Sequence, residues 1–138
     1  MYQSSNRRSP RTKLQYPQEI EVWFVIPAIH RNLAQQFKKN NLTQRKSAKI
    51  LGVTEACVSQ YLNSIRGTKV SFSKSIQKDI EAAAKRILNE GTAVIKEVQE
   101  ICLLIKNSGL LCELHKQYGN TSDSCEICKS LGGEKDSV

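Results

Sequence analysis

An all-α fold is predicted for this chain by three observations. Residues Leu42 to Gly67, LTQRKSAKILGVTEACVSQYLNSIRG, read as two short helices about a tight turn. Apolar residues recur at helical spacing on both sides of it: Ile29, Leu33 and Phe37 before, and Ile76, Ile80, Ala84 and Ile87-Leu88 after. Gly91 and Ser108-Gly109 then bracket a further long helix.

Residues 1–16, MYQSSNRRSPRTKLQY, carry no periodicity, and Arg7, Arg8, Arg11 and Lys13 have no acid to offset them. A basic arm, disordered in isolation, is expected there. It either follows DNA phosphates or enters a minor groove, or it is a terminus without a role. A domain is expected to begin at Pro17, whose missing N–H suits a first helical turn. Glu19 and Glu21 complement the helix dipole there. The dense apolar run from Ile20 through Ile26 has no period that separates helix from strand. It is assigned to a helix because Pro27 is awkward inside a strand and 28–39 is helical, with a kink or a restart at Pro27. Trp23 is a candidate core or dimer anchor, and His30 a surface or internally satisfied histidine. Asn40-Asn41 ends the helix.

In the central stretch, Thr43 can cap a helix from Gln44 to Leu51, Gly52 supplies a turn residue tolerant of positive φ, and Thr54 can cap a second helix to about Asn63. Ala48 lets the two helices approach, while Val53, Val58 and Leu62 fix their angle. These are the steric demands of a helix-turn-helix, the alternative being an ordinary αα-hairpin. Thr54, Glu55, Ala56, Ser59 and Gln60 remain on the outer face, short or polar as a helix entering a DNA major groove needs. Ser64 to Phe72 is a loop in which Arg66 and Lys69 flank Gly67, suited to phosphate contacts or simply to solvent. Ser73 to Asn89 is helical. Thr92 is expected to cap a helix to about Asn107, whose wide apolar stripe suits a dimer contact or a lid on the C-terminal segment. The domain boundary is placed between 90 and 91.

The 138 residues carry a net charge of +8 and a pI near 9.4, which favours an anionic partner, nucleic acid first. No apolar run approaches a membrane span, and the N-terminus lacks the apolar core of a secretory signal, so a cytoplasmic protein is expected. No paired acid and base, phosphate loop or nucleophile with a matching histidine stands out, so no enzyme is expected. A Cys–His pair at His115 is only formal.

Five cysteines, Cys57, Cys102, Cys112, Cys125 and Cys128, argue against a disulfide framework in a chain without a signal. Cys57 lies inside the second short helix and is read as a packing residue. The other four crowd the C-terminal part, where 91–138 is expected to be a helix followed by a cysteine-rich metal segment. Cys125-Glu126-Ile127-Cys128 is a C-x-x-C pair. With Cys112 and Cys102 it supplies four thiolates for an iron–sulfur cluster or for zinc. Cys112-x-x-His115 with the same pair is a second zinc spacing, leaving Cys102 in the core. A thiol–disulfide switch and unligated cysteines are the metal-free alternatives. The helix-borne Cys102 and the wide spacings suit a cluster, which would also give a pocketless regulator an input.

The stretch TQRKSAKILGVTEACVSQYLNSIRG resembles the lambda-repressor-like helix-turn-helix. More narrowly, EIEVWFVIPAIHRNLAQQF before it and ICLLIKNSGLLCELH with CEIC after it are similar to a family of small microbial predicted transcriptional regulators, over roughly residues 17–128. The resemblance implies a dimeric, DNA-binding regulator on a pseudo-palindromic operator. Gln44 would clamp a phosphate or support the reading helix, and Thr54, Glu55, Ala56, Ser59 and Gln60 would face the bases. Arg45, Lys46, Lys49, Arg66 and Lys69 would add phosphate affinity. Glu55 stands where many relatives carry glutamine, which points away from a bidentate adenine contact and towards a cytosine amino group.

Overall fold

The computed structural model describes residues 16–118. Of the expected basic arm only Tyr16 falls among them, and Cys125 and Cys128 lie outside them. Every regular element described is helical: α1 (Pro17–Ile20), a π-helical turn (Glu21–Val25), α2 (Ile26–Lys39), α3 (Gln44–Leu51), α4 (Glu55–Leu62), α5 (Lys74–Glu90), α6 (Val94–Ser108) and α7 (Leu110–Tyr118). None of these helices is long and apolar enough to cross a membrane.

The N-terminal helix begins where Pro17 predicts. The Tyr16 backbone N–H donates to Glu19 Oε1 at 2.8 Å, half of a capping box. Pro27 stands in the first turn of α2, which starts at Ile26, so the expected restart at the proline is made through a π turn rather than through a break in the coil. A proline within an α-helix removes an N–H and drives its ring against the carbonyl four residues back. The π turn just ahead widens the coil, and the Ile26 N–H reaches back five residues to the Glu21 carbonyl. The coil therefore passes the proline without interruption, and Trp23 sits half-buried on the widened turn.

Helix α2 is the hub, packed against α3, α4 and α5, with α5 in turn against α6. Ile29, Leu33 and Phe37 of α2, Val58 of α4, Ile80 of α5 and Ile101 and Ile105 of α6 belong to one buried cluster. That cluster runs without a break across the 90/91 position where a boundary is expected. Two departures lie in the C-terminal half. The N-cap of α6 is Ala93 rather than Thr92, with no side-chain cap hydrogen bond. Residues 110–118, expected to begin the metal segment, form α7, which lays Leu111 and Leu114 into the core against α1 and α6.

Glu97 stands within the buried face of α6, with none of its surface exposed. Arg86 on α5 holds it in a bidentate pair, its Nε and Nη2 donating to the two carboxylate oxygens at 2.9 and 2.8 Å. The Arg86 guanidinium keeps this carboxyl below the ordinary carboxylate range, against the opposing effect of burial.

Candidate nucleic-acid interface

Local chemistry explains how α3 and α4 are set. Thr43 Oγ1 accepts from the Lys46 N–H at 3.1 Å, and Thr54 Oγ1 from the Cys57 N–H at 3.0 Å, so both hydroxyls cap as expected. Gly52 ends α3 in the left-handed region, at φ 71°, and the Val53 N–H closes the turn on the Ala48 carbonyl. Val58 and Tyr61 then bury the inner face of α4. His30 of α2 lies beneath it, Nδ1 3.5 Å from the Tyr61 hydroxyl, its pKa lowered by burial. Burial, and after it the neighbouring Cys57 thiol, raises the Tyr61 pKa, so the hydroxyl keeps its proton.

What remains of α4 divides in two. Thr54, Glu55 and Ala56 are exposed, at the N-terminal turn. Ser59 and Gln60 are half-buried and already engaged: Asn63 Nδ2 donates to Ser59 Oγ at 3.2 Å, and Arg66 Nε donates to Gln60 Oε1 at 2.9 Å. Gln60 thus steers Arg66 as well as offering its own amide. The Ile65 and Arg66 N–H groups both donate to the Gln60 carbonyl, which folds the loop back over the end of the helix.

That loop is fastened to α2 by contacts distant in sequence. Arg31 Nη2 donates to Ser64 Oγ at 3.2 Å. Gly67, at φ 78°, lies so close to α2 that a Cβ there would sit 2.5 Å from the Pro27 carbonyl oxygen. Arg66, Lys69 and Ile65 are left pointing to solvent, Ile65 at 71% exposure. On α3, Gln44, Arg45, Lys46 and Lys49 are all exposed. Sequence reasoning missed Arg31, which anchors the loop, and Ile65, an exposed apolar side chain beside Arg66. Neither left a distinct trace, because Val70 and Phe72 of the same loop are equally apolar and are buried.

Charge is unevenly divided over the molecule. From Val22 to Lys78 there are ten lysines and arginines and a single acid, Glu55. From Asp79 to Tyr118 six acids outnumber five lysines and arginines. The cations of the first stretch lie on α2, α3, the loop after α4 and the start of α5, and its one acid lies on the exposed turn of α4.

The candidate metal ligands are less gathered. Cys102 is buried in the core at 6% exposure, and burial, with Glu21 as a lesser cause, pushes its pKa up to about 11. Cys112 is half-buried on α7, three residues before His115, so the two share one side of that helix. Among the described residues no group of three or more histidines, cysteines and acids is placed to hold a metal ion. Searches of protein-family models, curated proteins and solved structures each returned no match to this chain.

Proposed function

We propose that this chain is a sequence-specific DNA-binding transcriptional regulator of the lambda-repressor-like kind, with α4 as the helix that enters the major groove and a homodimer as the binding unit on a pseudo-palindromic operator. The observation that carries this reading is the exposed turn Thr54-Glu55-Ala56, set in a stretch, Val22 to Lys78, whose charged residues other than Glu55 are all basic. A helix tip with short side chains can approach base edges, and cations around it release counterions from the phosphates. Arg45, Lys46, Lys49, Arg66 and Lys69 supply that sequence-independent affinity, and Gln44 a phosphate contact at the start of α3. Glu55 accepts from a cytosine amino group, Ala56 meets a thymine methyl, and Ser59 and Gln60 contribute further along the groove.

A gel shift against the chain's own upstream DNA tests the reading. Specific retardation that survives unrelated competitor duplex is expected, and Ala56→Asp should abolish it without unfolding the chain. Equal retardation of every duplex, or none, would overturn it.

The cysteines carry a second part of the proposal. An iron–sulfur cluster on Cys102, Cys112, Cys125 and Cys128 would report redox or iron state. A zinc site on Cys112, His115, Cys125 and Cys128 would brace the C-terminal segment. Burial of Cys102 in the core favours the zinc set, because a ligand must be a thiolate able to reach the metal. Anaerobic purification with metal analysis separates the two: a colourless protein whose zinc survives Cys102→Ser is expected. A brown protein with iron and sulfide, lost in that variant, would restore the cluster.

A further inference from the structure

Helix α6 exposes three large apolar side chains, Ile95 at 77%, Leu103 at 58% and, turned further round the helix, Leu104 at 43%; Ile95 and Leu103 stand on its outer side. They stand four residues either side of the exposed Gln99, so 95, 99 and 103 form one ridge. At the helical rise the two apolar ends are about 12 Å apart. Beside the ridge, Lys96 and Glu100 are exposed and paired at 2.8 Å.

This pattern is its own complement when reversed. A two-fold contact brings the same patch of each copy together. With two α6 helices antiparallel and the axis at Gln99, Ile95 of one copy meets Leu103 of the other at both ends. Lys96 then falls beside the second copy's Glu100 on the same flank, and the two Gln99 amides meet on the axis. Apolar ends, opposite charges and a self-pairing amide are each satisfied at once. The reverse edge of α6, through Val98, Ile101 and Ile105, is already committed to the core.

We propose that the outer face of α6 is a homodimer interface in which two copies pack antiparallel about Gln99. The position is compatible with the DNA-reading role: α6 packs mainly on α5 and α7 and also on α2, whereas α4 packs on α2 and α3, so the paired helix and the reading helix share no major contact. The dimer's purpose rests on the function proposed above, but its existence does not, and the two can fail separately.

The test is the mass of the full chain in solution by light scattering over the micromolar range, with a duplex-binding assay alongside. The wild-type chain is expected to be a dimer. Leu103→Glu and Ile95→Glu should be monomers with unchanged helicity, and their thermal midpoint should no longer depend on concentration. Lys96→Glu should weaken the dimer at least tenfold, and Lys96→Glu combined with Glu100→Lys should restore it. A monomeric wild type, or a Leu103→Glu chain that remains dimeric, overturns the proposal. So does a Leu103→Glu chain that unfolds while the charge variants leave the mass unchanged, because the face would then be covered by the chain itself. Dimerisation without duplex binding would keep this interface and remove the DNA-reading function.

Discussion

Gly52 and Gly67 both hold positive φ, yet replacing them has different consequences. At Gly52 nothing lies within 4 Å of a new Cβ, so Gly52→Ala incurs only the left-handed strain, about 1–2 kcal/mol. At Gly67 the same strain is joined by a collision with the Pro27 carbonyl oxygen, which is backbone and cannot swing away. Gly67→Ala should therefore lower the urea midpoint further than Gly52→Ala. It should also weaken duplex binding, because it displaces the loop that presents Arg66; equal midpoints for the two variants would contradict this. At this scale the local chemistry was legible in advance. Thr43, Gly52 and Thr54 act on neighbours a few residues away, and each is placed as its residue type predicts. The Arg31–Ser64 bond was not legible, because it joins positions 33 apart in the chain. Gln60 likewise reads as a free surface amide until its bond to Arg66 is seen.

At the level of helices, the bounds of α3 and α4 follow from their caps, whereas the path through Pro27 does not. A proline signals only that one backbone bond must go; whether the coil kinks, restarts or widens is decided by the core that Ile20, Val25 and Ile29 share. The nine residues of α7 were hidden for another reason. Their cysteine and histidine suggest metal chemistry, while Leu111 and Leu114 quietly supply helical packing. The α5–α6 contact carries a pH dependence whose sign is fixed. Glu97 titrates below its ordinary 4.5 in the folded chain, so its pairing with Arg86 contributes in full above that value. The contribution is lost as the pH falls through the lowered folded value. Glu97→Gln should therefore be less stable than wild type at neutral pH, with the gap closing progressively in denaturant titrations as the pH falls below 4.5 and through the lowered folded value. A gap that is constant from neutral to strongly acidic pH would contradict a paired, ionised Glu97. An acid at this position of an apolar stripe gave no sequence sign of being buried, because its partner lies on another helix.

Over the whole molecule, charge and helical packing divide the labour. Six acids and the self-complementary ridge lie between Asp79 and Tyr118, whereas α2, α3 and the loop after α4 carry eight cations and no acid. The total of +8 was visible at once, but the run of ten cations against one acid between Val22 and Lys78 matters more, because an evenly spread charge would give no oriented approach to a duplex. Replacing Arg45, Lys49, Arg66 or Lys69 by alanine should weaken binding to all duplexes alike and reduce the salt slope by about one for each. A slope unchanged in these variants would place the anionic partner elsewhere on the surface. The central claim, that the exposed turn of α4 reads bases, is tested most directly by selecting binding sites from a random duplex library with the wild-type chain and with Glu55→Gln. Each chain should enrich a pseudo-palindrome, and the two should differ at one position in each half-site, from cytosine to adenine. Identical enriched sites, or no enrichment by the wild-type chain, would contradict the account.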